Sequence, residues 1–341
     1  MYDAVVAGAG PAGAAAAKAF CEAGRRVLLV ERFRLPRYKS CSGILIKKSL
    51  GLVKQYFGEE VPSAVCCAPV ENRGMIFTDD KGREYAFRQE GRNVWRSAFD
   101  GWLVAKAAES GAELLDGTAA IACEEENGAV WVTLQNRERC KVRARYLLDC
   151  EGVTGALKRK LAPGPAQYIT TFQTFNEGRI ALDPHYFYAY LQPELSEYDA
   201  WFNVKDGFLV LGVSVRDAKR AEYFYRRFLS YMEERHGLCT GREERREKWL
   251  MPRIPPGCPI YYGQGRVLCA GEAAGVLNPM GEGVSALESG HHAAGALMEH
   301  WNEPERALAR YRERTNALRA YMRRQWSFTA GMAETFREMR T

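Results

Sequence analysis

The sequence has no apolar run of about 18 residues, the length a helix needs to cross a bilayer. Its first residues lack the basic region, apolar stretch and small-residue cleavage site of a secretory signal. Residues 2–7 enter a strand pattern at once, and a cytoplasmic location is expected. No C-x-x-C pair occurs among the ten cysteines, which argues against a structural zinc site; no metal is expected. In a reducing compartment most of these thiols are expected to be free and to act as small buried hydrophobes, and the adjacent Cys66-Cys67 reads as strand packing. No Ser/His/Asp constellation stands out. His291 and His292 share a helical stretch, where packing is the default reading. Internal repeats and low-complexity segments are absent as well.

What is present is ample apolar material: 47% of 341 residues. That is enough for two domains or one large composite core. The net charge of +6 is unevenly spread. Residues 301–341 hold nine Arg against five Glu. The same segment repeats Leu308, Tyr311, Leu318 and Met322 at helical spacing. Such a basic amphipathic segment is a solvated helix face, a cap on a domain, or a peripheral contact with an anionic membrane. No nucleic-acid partner is expected.

Residues 2–7, 12–23 and 27–31 read as strand, helix and strand, a βαβ opening that requires a parallel sheet. A helix is expected at 97–110 and strands at 113–123 and 129–135, the last two around the hairpin signal Asn127-Gly128. Residues 146–149 read as a buried strand. Segments 186–191, 200–204 and 208–215, rich in aromatic and β-branched residues, read as an antiparallel sheet. A charged helix is expected over 217–236, and the Pro-rich stretch from Pro252 to Pro259 reads as a linker back to the first domain. A strand over 267–270 and a helix over 283–300 complete the reading.

Gly8-Ala9-Gly10-Pro11-Ala12-Gly13 follows the first strand and opens the first helix. Gly8 permits a tight turn, Gly10 admits a pyrophosphate to the backbone, and Gly13 lets helix pack on strand. The helix N-terminus then offers N–H donors and a favourable dipole. Glu31 ends the second strand, placed to accept hydrogen bonds from ribose hydroxyls. A dinucleotide site is the expectation.

Further motifs carry a resemblance to one flavoprotein family. They are the run from Val267 to Gly275, with Gly271 and Glu272, followed by Asn278-Pro279-Met280-Gly281-Glu282-Gly283; Cys150-Glu151-Gly152; Arg96-Ser97-Ala98-Phe99-Asp100; and Pro36-Arg37-Tyr38-Lys39-Ser40-Cys41-Ser42-Gly43. Together with the glycine loop they resemble the FAD-binding oxidoreductases of the geranylgeranyl reductase family and the related aromatic hydroxylases, over residues 1–300. The resemblance implies an α/β fold: a Rossmann-type FAD-binding domain with a parallel sheet, an antiparallel-sheet substrate domain, and C-terminal helices. The expected division is 1–67, 96–167 and 258–300 for FAD; 68–95 and 168–257 for substrate; and 301–341 as a helical segment. It assigns Gly8, Gly10, Pro11, Ala12, Gly13, Glu31, Arg32, Cys41, Ser42, Gly43, Arg96, Ala120, Glu151, Gly152, Gly271, Glu272, Gly281, Gly283 and Val284 to the cofactor. Glu151 and Glu272 stand where the family has Asp, and Lys158 where it has Arg. In the substrate domain the nearest match to a family Tyr-x-Trp-x-x-Pro strand is Tyr198 to Asn203. Its Pro is missing, so a different substrate wall is expected.

The implied activity is a reductase that passes hydride from NAD(P)H or another donor through FAD to a C=C bond of a prenyl or other apolar substrate. An isolated alkene is a poor acceptor, so a positioned acid must supply a proton. Cys41 is the candidate, in a field of positive charge from Arg37 and Lys39, or else an inert core thiol. The alternatives are a monooxygenase or halogenase on the same fold, and a non-catalytic flavin-binding partner protein. The Gly-Trp-x-Trp-x-Ile-Pro signature of flavin halogenases is absent. Of the aromatic group Tyr186, Phe187, Tyr188, Tyr190, Trp201 and Phe202, half is expected to line an apolar tunnel.

Overall fold

The strand Tyr2–Ala7 is buried over its last four residues. A strand apolar on both faces belongs inside a parallel sheet. It lies there, parallel to Val27–Val30 on one side and to Arg139–Asp149 on the other. Glu113–Leu115 and Val267–Cys269 continue the parallel sheet outward. Arg139–Asp149 also pairs antiparallel with Ala129–Gln135, which forms a hairpin with Ala119–Glu126. Asn127 and Gly128 turn that hairpin with φ of 50° and 70°, the conformation an Asn-Gly turn favours. The expected strand over 113–123 is broken at Asp116-Gly117, where Gly117 has a positive φ. The computed structural model describes residues 1–161, 168–255, 257–279 and 282–339.

The second sheet has eight strands, in the order Cys239–Pro252, Tyr168–Arg179, Phe208–Val215, Ala200–Lys205, Tyr186–Tyr190, Cys66–Thr78, Glu84–Val94 and Ile44–Ile46. It is antiparallel at every junction but one. Tyr186–Tyr190 runs parallel to Cys66–Thr78, a pairing that a long intervening stretch of chain permits. Segment 1–67, read as wholly part of the FAD domain, contributes Ile44–Ile46 to this sheet. Cys239–Pro252 is a strand that the sequence pattern does not announce. Residues 242–248 are all charged, so neither face alternates, and Arg, Glu and Lys favour helix. It is a strand because Tyr168–Arg179 offers it a backbone edge over almost its full length.

The two faces of this sheet obey the strand period of two. Phe172, Tyr188, Tyr190, Phe202 and Leu211 pack beneath the helix Ala221–His236. Ile169, Thr171, Gln173, Phe187, Ala189, Trp201 and Ser214 face the opposite way, into a cavity. Of the six aromatics expected to divide evenly, only Phe187 and Trp201 reach that cavity. Helices Pro304–Arg314 and Asn316–Met332 bury Leu308, Tyr311, Leu318 and Met322 against the first domain. Trp326, Thr329 and Phe336 then close the cavity from above, so the tail caps the substrate side. Arg306 pairs with Glu303, Arg310 and Arg314 with Glu299, and Arg323 donates to the Gly257 carbonyl. Among the described residues no helix is long and apolar enough to cross a membrane.

Candidate functional site

The glycine loop behaves as its spacing requires. Gly8 has φ +100°, and a Cβ there would lie 2.3 Å from the Cys150 carbonyl oxygen. A Cβ on Gly13 would lie 1.9 Å from the Gly8 carbonyl oxygen, so helix and strand touch through it. Gly10 differs: its Cβ would meet only Arg37 Nη2, at 3.4 Å. It faces an open cleft. Gly10 caps the helix Pro11–Glu22 without a side-chain hydrogen bond, and the first turn holds no acid. The N-terminal N–H groups of such a helix are donors for an anion.

Twelve of the residues assigned to the cofactor line this cleft: Gly8, Gly10, Pro11, Ala12, Glu31, Arg32, Arg96, Ala120, Glu151, Gly152, Gly271 and Glu272. Gly13 lies behind it. Cys41, Ser42 and Gly43 line the adjoining cavity instead. Gly283 and Val284 fall in the first turn of the helix Glu282–Glu299. Gly281 lies outside the described residues.

A buried ion network runs along the cleft floor. Glu31 accepts from the Ala9 N–H at 3.0 Å and pairs with Arg37 Nε at 3.3 Å. Arg37 also reaches Asp100 at 2.9 Å, and Asp100 takes two bonds from Arg96, at 2.7 and 3.0 Å. Burial would raise the Asp100 carboxyl, but Arg96 and Arg37 outweigh it and hold it below its ordinary range. The charges around Cys41 are shared with carboxylates. Arg37 spends its charge on Glu31 and Asp100, while Lys39 lies 3.5 Å from Glu272 and 5.3 Å above the Trp249 ring. The cations whose charge acts with the Cys41 thiol include Arg96 and Lys205. The Gly43 N–H points at the same sulfur, at 3.4 Å. Both charges expected near the thiol also pair with carboxylates: Arg37 with Glu31 and Asp100, Lys39 with Glu272.

The loop from Pro36 to Gly43 is anchored by the unforeseen charged strand. Glu247 accepts from Tyr38 at 2.8 Å and from Ser40 at 2.9 Å, and also from Gln173. Beneath the loop lies Lys205, 1% exposed. Its ammonium donates to the Val94 carbonyl at 2.6 Å and to Asn93 Oδ1 at 3.2 Å, and stands 3.8 Å from Cys67 Sγ. A Cβ on Gly43 would come within 2.5 Å of it. Burial draws the Lys205 pKa below its ordinary value, with Cys67 and Cys41 pulling the other way. The only sequence trace of this residue is a lone Lys at the end of an apolar strand.

Glu151 sits at the other wall, with Asp149 buried behind it. Burial, reinforced by Asp149, pushes the Glu151 carboxyl up to about 7, although it accepts from the Leu157 N–H at 2.9 Å. Asp149 is raised to about 6 by burial. Its Oδ1 accepts from the Glu151 N–H at 3.0 Å, whereas Oδ2 is buried without a partner. The Glu272 carboxylate is turned toward the Gly152 backbone, 3.6 Å from where a Cβ would be.

The cleft opens into the second cavity. Lys39, Arg96, Trp249 and Glu272 line both. Beyond them the second wall is apolar: Met75, Phe77, Phe99, Phe187, Trp201, Met251 and Leu277 contribute to it. His291 is stacked on Tyr56 at 3.9 Å and driven down to about 4 by burial, while His292 lies 3.8 Å from Glu288. Neither lines the two cavities, in keeping with packing roles. Among the described residues no cluster of metal-ligating side chains occurs, and all ten cysteines are free.

The family model described as FAD binding domain matches residues 1–248. Digeranylgeranylglycerophospholipid reductase 1 of Methanopyrus kandleri is 29% identical, over 92% of this chain and 85% of its own. Menaquinone reductase of Mycobacterium tuberculosis is 27% identical, over 86% and 76%. The chain spans 39% and 37% of the length of two further relatives. Among solved structures, a geranylgeranyl bacteriochlorophyll reductase-like protein from Thermoplasma acidophilum superposes with a TM-score of 0.81 at 18% identity, covering 97% of this chain and 87% of that one. At that identity the likeness is one of fold.

Proposed function

Because the chain belongs to the FAD-binding domain family of oxidoreductases, we propose that it is a reductase that saturates a C=C bond of a prenyl or similarly apolar substrate, with NAD(P)H or another donor as electron source. One observation carries this reading: the cleft that suits a dinucleotide opens directly into a large apolar cavity, and Cys41 lines that cavity beside the shared residue Arg96. The residues fit FAD. Gly10 presents bare backbone to the cleft, the adjoining helix N-terminus is uncapped, and Glu31 lies at the end of the neighbouring strand. When bound, FAD supplies two-electron redox chemistry.

The protein's own part is to bind, to exclude water and to deliver a proton. Trp326, Thr329 and Phe336 cover the cavity, which keeps an apolar chain out of water. Cys41 Sγ is the proton donor of this proposal. The Gly43 N–H and the Arg96 guanidinium face its sulfur and stabilise the negative charge left there when the proton departs. Arg96 is held in place by Asp100, so the donor set is ordered before substrate arrives. A peripheral membrane contact through the C-terminal helices would let a lipid enter beside their capping residues.

The test is anaerobic. FAD-loaded protein reduced chemically is mixed with a prenyl compound, and the visible spectrum and product mass are followed. Return of the oxidised spectrum with a product two mass units heavier supports the reading. A protein that stays reduced until air is admitted, and then oxygenates the compound, belongs to the oxygenase class.

A further inference from the structure

The apolar cavity has two ends, and strand geometry sets them apart. Cys41 and Gly43 line one end, beside Arg96, which also faces the cofactor cleft. A Cβ on Gly43 would lie 2.5 Å from Lys205 Nζ, so this turn rests against the last residue of the strand Ala200–Lys205. Phe336 lines the cavity at the other end. Its ring stands edge-on to Tyr198, two residues ahead of the same strand, with centroids 5.7 Å apart. Asp199 and Trp201 belong to the wall that follows Tyr198. At about 3.3 Å per residue, the six residues of the strand separate the two ends by roughly 20 Å.

Phe336 is 6% exposed and is held on several sides. Besides Tyr198 it meets the Trp326 ring, with centroids 6.2 Å apart, and the Trp326 indole N–H donates to the Leu277 carbonyl at 3.0 Å. Asp80, in the turn after the strand Cys66–Thr78, clamps the backbone on both sides of Ala333. Its N–H donates to the Met332 carbonyl at 3.1 Å, and its carboxylate accepts from the Glu334 N–H at 3.1 Å. The Phe336 N–H donates in turn to the Ala333 carbonyl at 3.2 Å. A ring wedged between two aromatics and tied by main-chain bonds cannot swing aside without breaking them. It is a wall of fixed position rather than an adaptable filling.

We infer that Phe336 is a specificity-determining residue: the end stop that sets how long an apolar chain extends from the Cys41 end of the cavity. This rests on the reading of the cavity as the prenyl site and adds to it a limit on chain length. Each prenyl unit that fits gains by leaving water. A unit that meets the stop must fold back or stay in water, and it adds nothing. Replacing the ring by a methyl group leaves a cavity, roughly the size of one prenyl unit, at the end of the channel.

A ladder of prenyl alcohols decides it: geraniol, farnesol, geranylgeraniol and geranylfarnesol, each longer than the last by one unit. Their dissociation constants are measured on FAD-loaded protein by equilibrium dialysis of the labelled alcohols. Wild-type affinity should rise by about tenfold or more for each unit that fits, and stop rising at one length. In Phe336→Ala that length should move one unit longer, while the alcohols that already fit keep their affinity to within about threefold. Phe336→Trp, which brings the wall inward, should move it one unit shorter. A tryptophan variant whose limit stays at the wild-type length overturns the inference, even if the alanine variant does not fold. So does a change by the same factor at every length, the mark of a packing or entry effect. So does wild-type affinity that climbs through the whole ladder. In these three cases the alcohols still bind and the prenyl reading stands. Failure of every alcohol to bind wild-type protein overturns the inference together with the reading of the cavity as a prenyl site.

Discussion

Glu151→Gln offers a test that needs no substrate. In the folded protein burial and Asp149 raise the Glu151 carboxyl from 4.5 to about 7. The folded state therefore holds this proton more tightly than the unfolded chain does. Its contribution to stability is fully present below pH 4.5 and is lost as pH rises through about 7. A rise of that size is worth about 3 kcal/mol, or about 2–3 kcal/mol once the remaining solvent contact is allowed for. Glutamine keeps the carbonyl oxygen that accepts from the Leu157 N–H but cannot ionise. The variant should therefore exceed wild type by less than about 1 kcal/mol at pH 5 and by about 2–3 kcal/mol at pH 8. Asp149, raised to about 6, titrates in both proteins. Its repulsion of Glu151 is already part of that rise. For a chain of 341 residues this corresponds to about 3–4 °C in Tm. The assay is thermal unfolding of protein stripped of cofactor, at pH 5 and pH 8, followed by tryptophan fluorescence. A difference between variant and wild type that does not change over that interval would falsify the account of Glu151.

Four further outcomes are expected. Gly10→Val should unfold with a wild-type midpoint yet purify colourless, because its side chain enters the cleft, whereas Gly8→Val should fail to fold, its Cβ lying 2.3 Å from a backbone oxygen; Gly10→Val protein that purifies yellow refutes the assignment of the cleft. Glu272→Ala should weaken FAD by about 1.5–3 kcal/mol, the loss of a charge-assisted hydrogen bond, and Glu272→Asp should restore most of it; titration of stripped protein with FAD measures both. Cys41→Ser should retain FAD and its reduction while alkene saturation falls about 10²-fold or more in single-turnover rapid mixing; normal turnover would make Cys41 a packing residue. The C-terminal arginines are largely engaged within the protein, so sedimentation with anionic liposomes at low salt should show binding only if Arg312, Arg319 and Arg324, for which no ion pair is found among the described residues, meet the surface; no binding removes the membrane contact.

The dinucleotide end of this protein is legible in its sequence because its determinants are local. A strand, a turn needing positive φ at Gly8, a helix that touches the strand through Gly13 and an acid at the next strand end lie within thirty residues, and each fixes its neighbour's conformation. The Asn127-Gly128 hairpin is legible for the same reason. The substrate half resisted such reading. Cys239–Pro252, charged throughout its middle, is a strand only because Tyr168–Arg179 offers it hydrogen-bond partners, and through Glu247 it anchors the Cys41 loop. Arg96 and Lys205, whose charges act with Cys41, come from segments far from it in the chain, while Asp100 and Glu31 pair with Arg37 and Glu272 with Lys39. The burial of Lys205 under Gly43 and the turning of Asp199 into the cavity follow from strand register. Register depends on pairing between distant segments, and a one-residue slip would exchange the two faces.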